Sequence, residues 1–295
     1  MKVAIFESIH LVPELKTTKK WNYRCPGTLT TGGHVLTSAQ CCLEKSIDGK
    51  LGLVMSPKNL QIRAGILNLN AGNAMLRKVS NVRVPAEFST SSLDNDICIL
   101  VLEAPFMKRK NINISPYNQV SNKNFTSGMV VCHLFIYHHH FGCENTRRDY
   151  YHQTPSYVKV LREEDLLQET DCKDNTSLSA VQLRRRICII AETSDSDPFI
   201  CQTDGIGAPL ICTGGLGLTG IASQTMVLKK NSSQVVYLFT DIFQYGVWIN
   251  YSVSLASTGP FPNKRMIFLI ALLVTYFNNK NKIHGHILHM EEGRG

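Results

Sequence analysis

The sequence predicts an all-β fold, a barrel or a sandwich, finished by one C-terminal helix. Three observations predict it. Short β-branched runs recur between about Tyr23 and Ser223, with Gly, Pro, Asn or Ser between them. Helical periodicity is nearly absent from that stretch and becomes clear only after Thr240-Asp241. With 295 residues, 43% hydrophobic and 18% charged, the chain can bury a real core and is too apolar for bulk disorder.

Lys2 precedes only Val3, Ala4, Ile5 and Phe6 before Glu7 interrupts, and His10, Pro13 and Glu14 prevent a second apolar attempt. That is too short for the apolar core of a secretory signal, so residues 1–20 read as an N-terminal segment outside the fold. Strands are expected at Gly33–Thr37, Leu60–Ala64, Ile97–Leu102, Met129–Leu134, Val158–Leu161, Ile187–Ala191, Leu210–Cys212 and Leu216–Ser223, each a short apolar run bounded by turn formers. The helix is expected because Thr240 or Asp241 can cap it and Ile242, Tyr245, Trp248 and Ile249 share one face. The folded domain therefore spans residues 21–251, and 252–295 form a tail. Within the tail, Met266–Phe277 is an apolar run of 12 residues between Lys264-Arg265 and Lys280 with Lys282. As a helix it rises about 18 Å, short of the roughly 30 Å hydrocarbon core, so it does not comfortably span, and the reading is divided between membrane association of some kind and a peripheral or atypical tail. A glycolipid-anchor signal with its attachment region at Ser257–Gly259 is the alternative reading, although 18 residues come after the run.

Composition narrows the partners. The net charge is +8, but the basic residues are scattered, and neither of the two Trp lies beside any of the clusters Lys108–Lys110, Arg184–Arg186 and Lys229-Lys230. Nucleic acid is thus not an expected partner, since its binders concentrate charge and interleave aromatics. Ten cysteines suit an oxidising compartment, and Asn113, Asn124, Asn175, Asn231 and Asn250 stand in Asn-x-Ser/Thr acceptor sites. An extracellular or membrane-associated protein of the secretory pathway is expected. His138, His139 and His140, with His133, Cys132 and Cys143 nearby, alternate faces on an extended chain, and His284, His286 and His289 lack a second set of ligands. Neither group is expected to hold a metal, and no cofactor is expected. Cys98, inside an apolar strand, reads as a buried free thiol.

Six segments carry more specific information. They are Cys25-Pro26-Gly27-Thr28-Leu29, His34-Val35-Leu36-Thr37-Ser38-Ala39-Gln40-Cys41, Asp94-Asn95-Asp96-Ile97-Cys98-Ile99-Leu100, Cys201-Gln202-Thr203-Asp204-Gly205-Ile206-Gly207-Ala208-Pro209-Leu210, Gly220-Ile221-Ala222-Ser223 and Tyr237–Ile249. In order and spacing they resemble the Cys-Gly-Gly-Ser/Thr-Leu strand, the histidine motif, the Asp-Asn-Asp-Ile-Ala-Leu-Leu motif, the nucleophile loop, the Gly-Ile-Val-Ser strand and the closing helix of the trypsin-like, chymotrypsin-fold serine peptidases. The resemblance covers residues 21–251. It implies two six-stranded antiparallel β-barrels with the site between them.

That resemblance assigns roles residue by residue. The mechanism needs a hydroxyl nucleophile, an imidazole base and a buried carboxylate. Asp96 matches the carboxylate, and Ser223 matches a serine that helps to hold it. Gln40 replaces the histidine, and an amide does not take up a proton at neutral pH. His34, six residues earlier, reads as structural. Counted forward from Cys201, Gly205 takes the place of the nucleophile; counted back from Pro209-Leu210, Ile206 does. The extra residue between these anchors is expected to disturb the oxyanion-hole amides. Phe199 matches the floor of the specificity pocket, and Gln224 and Thr225 replace the Trp-Gly pair that comes after the matched serine, so Phe199, Ser223, Gln224 and Thr225 are a pocket remnant. The basic-Ile-Val-Gly-Gly activation sequence is missing, and Asp204, which the resemblance implies as the acceptor of that terminus in an active ancestor, reads equally as a solvated loop residue. By resemblance the bridges are Cys25–Cys41, Cys132–Cys212 and Cys172–Cys188, leaving Cys42, Cys98, Cys143 and Cys201 unassigned. The expectation is a non-catalytic serine peptidase homologue that binds a protein ligand or an active peptidase. The alternative is a serine-type endopeptidase with residual or unconventional activity, and a third reading is a defective gene product without stable function.

Overall fold

A computed structural model describes residues 2–9, 20–45, 50–65, 73–107, 112, 114–117, 132–136, 157–161, 185–192, 205–212, 217–227 and 234–257, and among these residues it has fourteen strands. The first eight are β1 (Lys2–Ile9), β2 (Lys20–Thr31), β3 (His34–Thr37), β4 (Leu43–Lys45), β5 (Leu51–Val54), β6 (Leu60–Ala64), β7 (Met75–Arg83) and β8 (Cys98–Leu102). Six of them close a barrel in the order β1-β2-β3-β8-β7-β6, while β4 and β5 form a separate ribbon. The alternation in β6 shows why these residues make a barrel wall: Leu60, Ile62 and Ala64 are buried and Gln61 and Arg63 are not. The enclosed core comprises Val3, Ile5, Leu29, Val35, Leu60, Ile62, Val79 and Leu100 among others.

Strand β1 corrects the reading of residues 1–20 as a segment outside the fold. It pairs antiparallel with both β2 and β6 and so completes the ring. Both of its faces are buried. Val3 and Ile5 enter the barrel core, while Ala4 and Phe6 pack on the outer side against Trp21, Tyr23 and Ala74, with the Arg63 guanidinium 3.8 Å from the Phe6 ring centre. A strand covered on two sides has no polar alternation, which is why Val3–Phe6 does not look like a strand in the sequence.

The remaining strands are β9 (Cys132–Ile136), β10 (Tyr157–Leu161), β11 (Arg186–Glu192), β12 (Pro209–Cys212), β13 (Gly217–Val227) and β14 (Gln234–Asp241). They form a six-stranded antiparallel sheet in the order β10-β9-β12-β13-β14-β11. The fold class is thus all-β as expected, with one closed barrel; the described pairs do not join β10 to β11. Asp241 ends β14 and caps the next turn, its Oδ1 accepting from Phe243 N–H at 3.1 Å. This 3₁₀ turn over Ile242–Tyr245 leads into α1 (Gly246–Ser257), and Ile242, Tyr245 and Ile249 are buried as their spacing predicts. Residues Tyr237–Asp241, grouped with the closing helix in the sequence, belong to β14. Phe239, fully buried in the middle of that strand, shows the packing that decides it.

The chain divides into two compact units, residues 1–249 and 250–295. The Met266–Phe277 run lies outside the described residues. Among the described residues no helix is long and apolar enough to cross a membrane.

Candidate functional site

Asp96 is the fully buried centre of the site. A turn with Leu93 at φ 55° and Asn95 at φ 58° delivers it to the head of β8. This left-handed geometry costs energy for residues other than glycine and is held from the second sheet. Arg186 Nη2 donates to the carbonyls of Ser92 and Leu93, each at 2.8 Å, and lies 3.6 Å from Asp94 Oδ1. Asn95 Oδ1 accepts from Arg185 Nη1 and from the Tyr245 hydroxyl, both at 3.0 Å. Burial, the largest cause, pushes the Tyr245 phenol up to about 12.

Four donors converge on the Asp96 carboxyl. Oδ1 accepts from Ser38 Oγ at 2.7 Å and Gln40 N–H at 3.2 Å; Oδ2 accepts from Ser223 Oγ at 2.6 Å and Gln40 Nε2 at 2.8 Å. Burial raises the carboxyl above its ordinary range, and the hydrogen bonds from Ser223, Ser38 and Gln40 oppose that shift only in part. The second sheet contributes further, since Thr240 Oγ1 donates to the Asp96 carbonyl at 2.8 Å. Ser223 reaches the carboxyl through a bulge. Ala222 pairs with Phe239 and Gln224 with Leu238, which leaves Ser223 as the extra residue.

Gln40 sits in a 3₁₀ turn over Ala39–Cys42 that Ser38 caps, accepting from Gln40 N–H at 3.1 Å. Its Nε2 donates to Asp96 Oδ2 and to the Ser223 carbonyl, both at 2.8 Å. Both partners are acceptors, so the amide must present its nitrogen to them, and both hydrogens are used. Arg24 grips the same turn: Nε donates to the Cys41 carbonyl at 2.6 Å, and Nη2 donates to the carbonyls of Gln40, at 3.4 Å, and Leu43. The guanidinium also pairs with Glu7 of β1.

Beside this turn lies the loop 205–208. Gly207 N–H donates to the Ala222 carbonyl at 2.7 Å, and Ala222 N–H to the Ala208 carbonyl at 2.8 Å. These bonds run on into the Pro209↔Ile221 register, so the loop is tied to Pro209-Leu210, the anchor from which Ile206 is counted. Gly205 is buried, and Ile206 is half-buried and packed against the barrel core, its carbonyl oxygen 3.7 Å from Cys41 Sγ. Gly207 has φ +84°, and a side chain there would meet the Pro26 carbonyl at 2.7 Å.

The family model for trypsin matches residues 10–249. The chain belongs to the trypsin family. No curated protein matches it.

Within this trypsin-family chain, the structure brings Gln40, Asp96 and Ser223 together and places Ile206 against Cys41, the residue after Gln40. Gln224 is half-buried in β13 opposite Leu238, and Thr225 stands opposite Tyr237 in the same strand. Phe199 and Asp204 lie outside the described residues. His34 is half-buried in β3, its Nδ1 2.7 Å from Thr31 Oγ1, and burial followed by the charge of Arg83 lowers its pKa. Cys25 and Cys41 are bonded to each other. Cys98 corrects the free-thiol reading: it is bonded to Cys42, which the 3₁₀ turn directs at β8. Cys188 and Cys212 each take part in a disulfide, and Cys132 stands opposite Cys212 in register. Cys143, Cys172, Cys201, Asn113, Asn124, Asn175 and Asn231 lie outside the described residues, as do His138, His139 and His140; Asn250 is exposed on α1. Among the described residues no group of His, Cys, Asp and Glu could hold a metal ion. Sequence reasoning missed Ser38, Arg24 and Thr240. Ser38 alone left a signal, a hydroxyl where the histidine motif has alanine.

Proposed function

We propose that this trypsin-family chain is a non-catalytic homologue, extracellular or membrane-associated, that acts by binding a protein ligand or an active peptidase. One observation carries the reading: Gln40 Nε2 spends both hydrogens on Asp96 and the Ser223 carbonyl. Where acyl transfer needs a group that accepts a proton from the nucleophile and returns it to the leaving group, Gln40 is a donor with no basic lone pair. Ile206, counted from the anchor to which its loop is bonded, supports the reading, because a hydrocarbon cannot attack a carbonyl. Loss of the triad as a unit costs on the order of 10⁶ in turnover. The same atoms then serve a structural end. Ser223 Oγ, Gln40 Nε2 and Thr240 Oγ1 make hydrogen bonds that join the first barrel to the second sheet around Asp96.

Buried disulfides in both halves support an oxidising compartment. Association with a membrane through 266–277 belongs to the same proposal, on the strength of the apolar run and its basic flanks.

The test is labelling of purified, folded full-length chain with a serine-reactive fluorophosphonate beside an active trypsin. No labelling is expected. Stoichiometric labelling would overturn the proposal in favour of a serine endopeptidase with unconventional chemistry.

A further inference from the structure

Adjacent residues Cys41 and Cys42 leave the Gln40 turn in two different disulfides, one to Cys25 of β2 and one to Cys98 of β8. The second has a particular placement. Cys42 stands two residues after Gln40, and Cys98 two residues after Asp96. The bond therefore ties the turn that supplies one partner of the site to the strand whose head supplies the other. We infer that Cys42–Cys98 is a positioning brace for the Asp96 network and, through that network, a latch holding the first barrel against the second sheet.

Register is what the brace protects. A charge-assisted hydrogen bond is short and directional and weakens steeply when its partners slide or tilt. Gln40 must meet the Asp96 carboxyl with its backbone N–H and with Nε2, while that same Nε2 meets the Ser223 carbonyl. Those contacts require the turn and β8 to keep one offset. The β3–β8 ladder fixes the strand ahead of the turn, from His34↔Val101 to Thr37↔Cys98, and stops there. Beyond it, besides the two Gln40 bonds themselves, Ser38 Oγ and the brace connect the turn to the Asp96 strand. From the braced pair, the bonds of Ser223 and Thr240 cross to β13 and β14. The Gly207–Ala222–Ala208 ladder lies against the same seam, beside Pro26, Thr37 and Cys41.

The chemistry of opening the brace balances with a dithiol reductant. One thiolate attacks Cys42 or Cys98 sulfur and its partner thiol closes the reagent ring, so the disulfide gains two electrons and two protons and the dithiol is oxidised. Both cysteines are fully buried. Attack therefore awaits an opening of the barrel core in which they sit, and the brace couples that opening to the seam. This role stands whether or not the chain hydrolyses peptides, because it concerns how the halves are joined.

Hydrogen–deuterium exchange on the full chain tests it. In Cys42→Ala/Cys98→Ala, amides of residues 205–208 and 222–224 are expected to lose protection about tenfold or more beyond the loss in a Leu60→Ala control, equivalent to one charge-assisted hydrogen bond. Leu60 lines the same barrel core, and its hydrocarbon side chain can make none of the hydrogen bonds of the Asp96 network, so it reports general loosening. Equal loss in the two variants overturns the brace. Should the double variant not fold, wild-type protein treated with dithiothreitol and pulse-alkylated gives the answer. Alkylation of Cys42 and Cys98 in step with exchange of those seam amides supports the coupling, and alkylation while the amides stay protected overturns it.

Discussion

Replacing Gln40 by alanine removes a side chain that occupies two buried acceptors at once. The bond from Nε2 to Asp96 Oδ2 at 2.8 Å is made to a carboxylate, a class that contributes about 1.5–3 kcal/mol. The second, also at 2.8 Å, serves the Ser223 carbonyl in a residue almost without exposure, and an orphaned buried acceptor costs about 1–3 kcal/mol. Gln40 is itself half-exposed, so water can enter the space and recover part of the loss. The expected destabilisation is therefore about 2–4 kcal/mol, a large share of the roughly 5–15 kcal/mol that holds a domain folded. Urea unfolding at neutral pH measures it, with the slope checked for a common two-state transition. Two further variants sharpen the logic. Gln40→His keeps an N–H within reach of Asp96 and should cost less than alanine. Gln40→Glu sets a second carboxylate against the first and should cost more than alanine at neutral pH, with recovery on acidification. A cost below about 0.5 kcal/mol for alanine, or a glutamate variant no worse than alanine, would refute the reasoning that this amide is a structural donor.

Other outcomes rest on the same geometry. The Asp96 carboxyl is raised above its ordinary value near 3.8, so its ionised form is disfavoured by folding; the stability of the wild type relative to Asp96→Asn should fall as pH rises through that value and level off above the folded pKa, and a rise in urea midpoints over that window would contradict it. Ile5→Ala in β1 should cost about 2–5 kcal/mol in thermal or urea unfolding, as for a core position, whereas a segment outside the fold would cost almost nothing. Loss of Cys42–Cys98, which closes a separation of 56 residues, should remove about 4 kcal/mol, and loss of Cys25–Cys41, with a separation of 16, about 3 kcal/mol, read as urea midpoints of the paired alanine variants.

The parts of this structure that were legible in the sequence share a property: they are local. The β6 alternation, the Asp241 cap and the Asp94–Leu100 motif each report their environment within a few residues. Asp96, Gln40 and Ser223 could be nominated because the ordered motifs around them survive. What stayed hidden depends on neighbours distant in sequence. Cys98 looked like a small apolar residue because its partner is 56 positions away. Arg24 gave no sign of its role, since its acceptors are backbone carbonyls of Gln40, Cys41 and Leu43, atoms that every residue carries. Strand β1 was obscured because neighbours hide both of its faces, and β7 because Leu76, Lys78 and Ser80 face solvent and dilute its apolar pattern.

The place of β1 in the ring bears on how the protein is made. It can pair with β2 as soon as that strand is complete at Thr31, but its other edge waits for β6, which begins at Leu60, and the ring closes only after β8, which ends at Leu102. At a synthesis rate of about 5–20 residues per second, Val3–Phe6 spends several seconds on the emerging chain without its final neighbours. An apolar edge in that interval invites pairing with the wrong strand, and a chaperone that engages this stretch would protect the barrel at its most exposed stage.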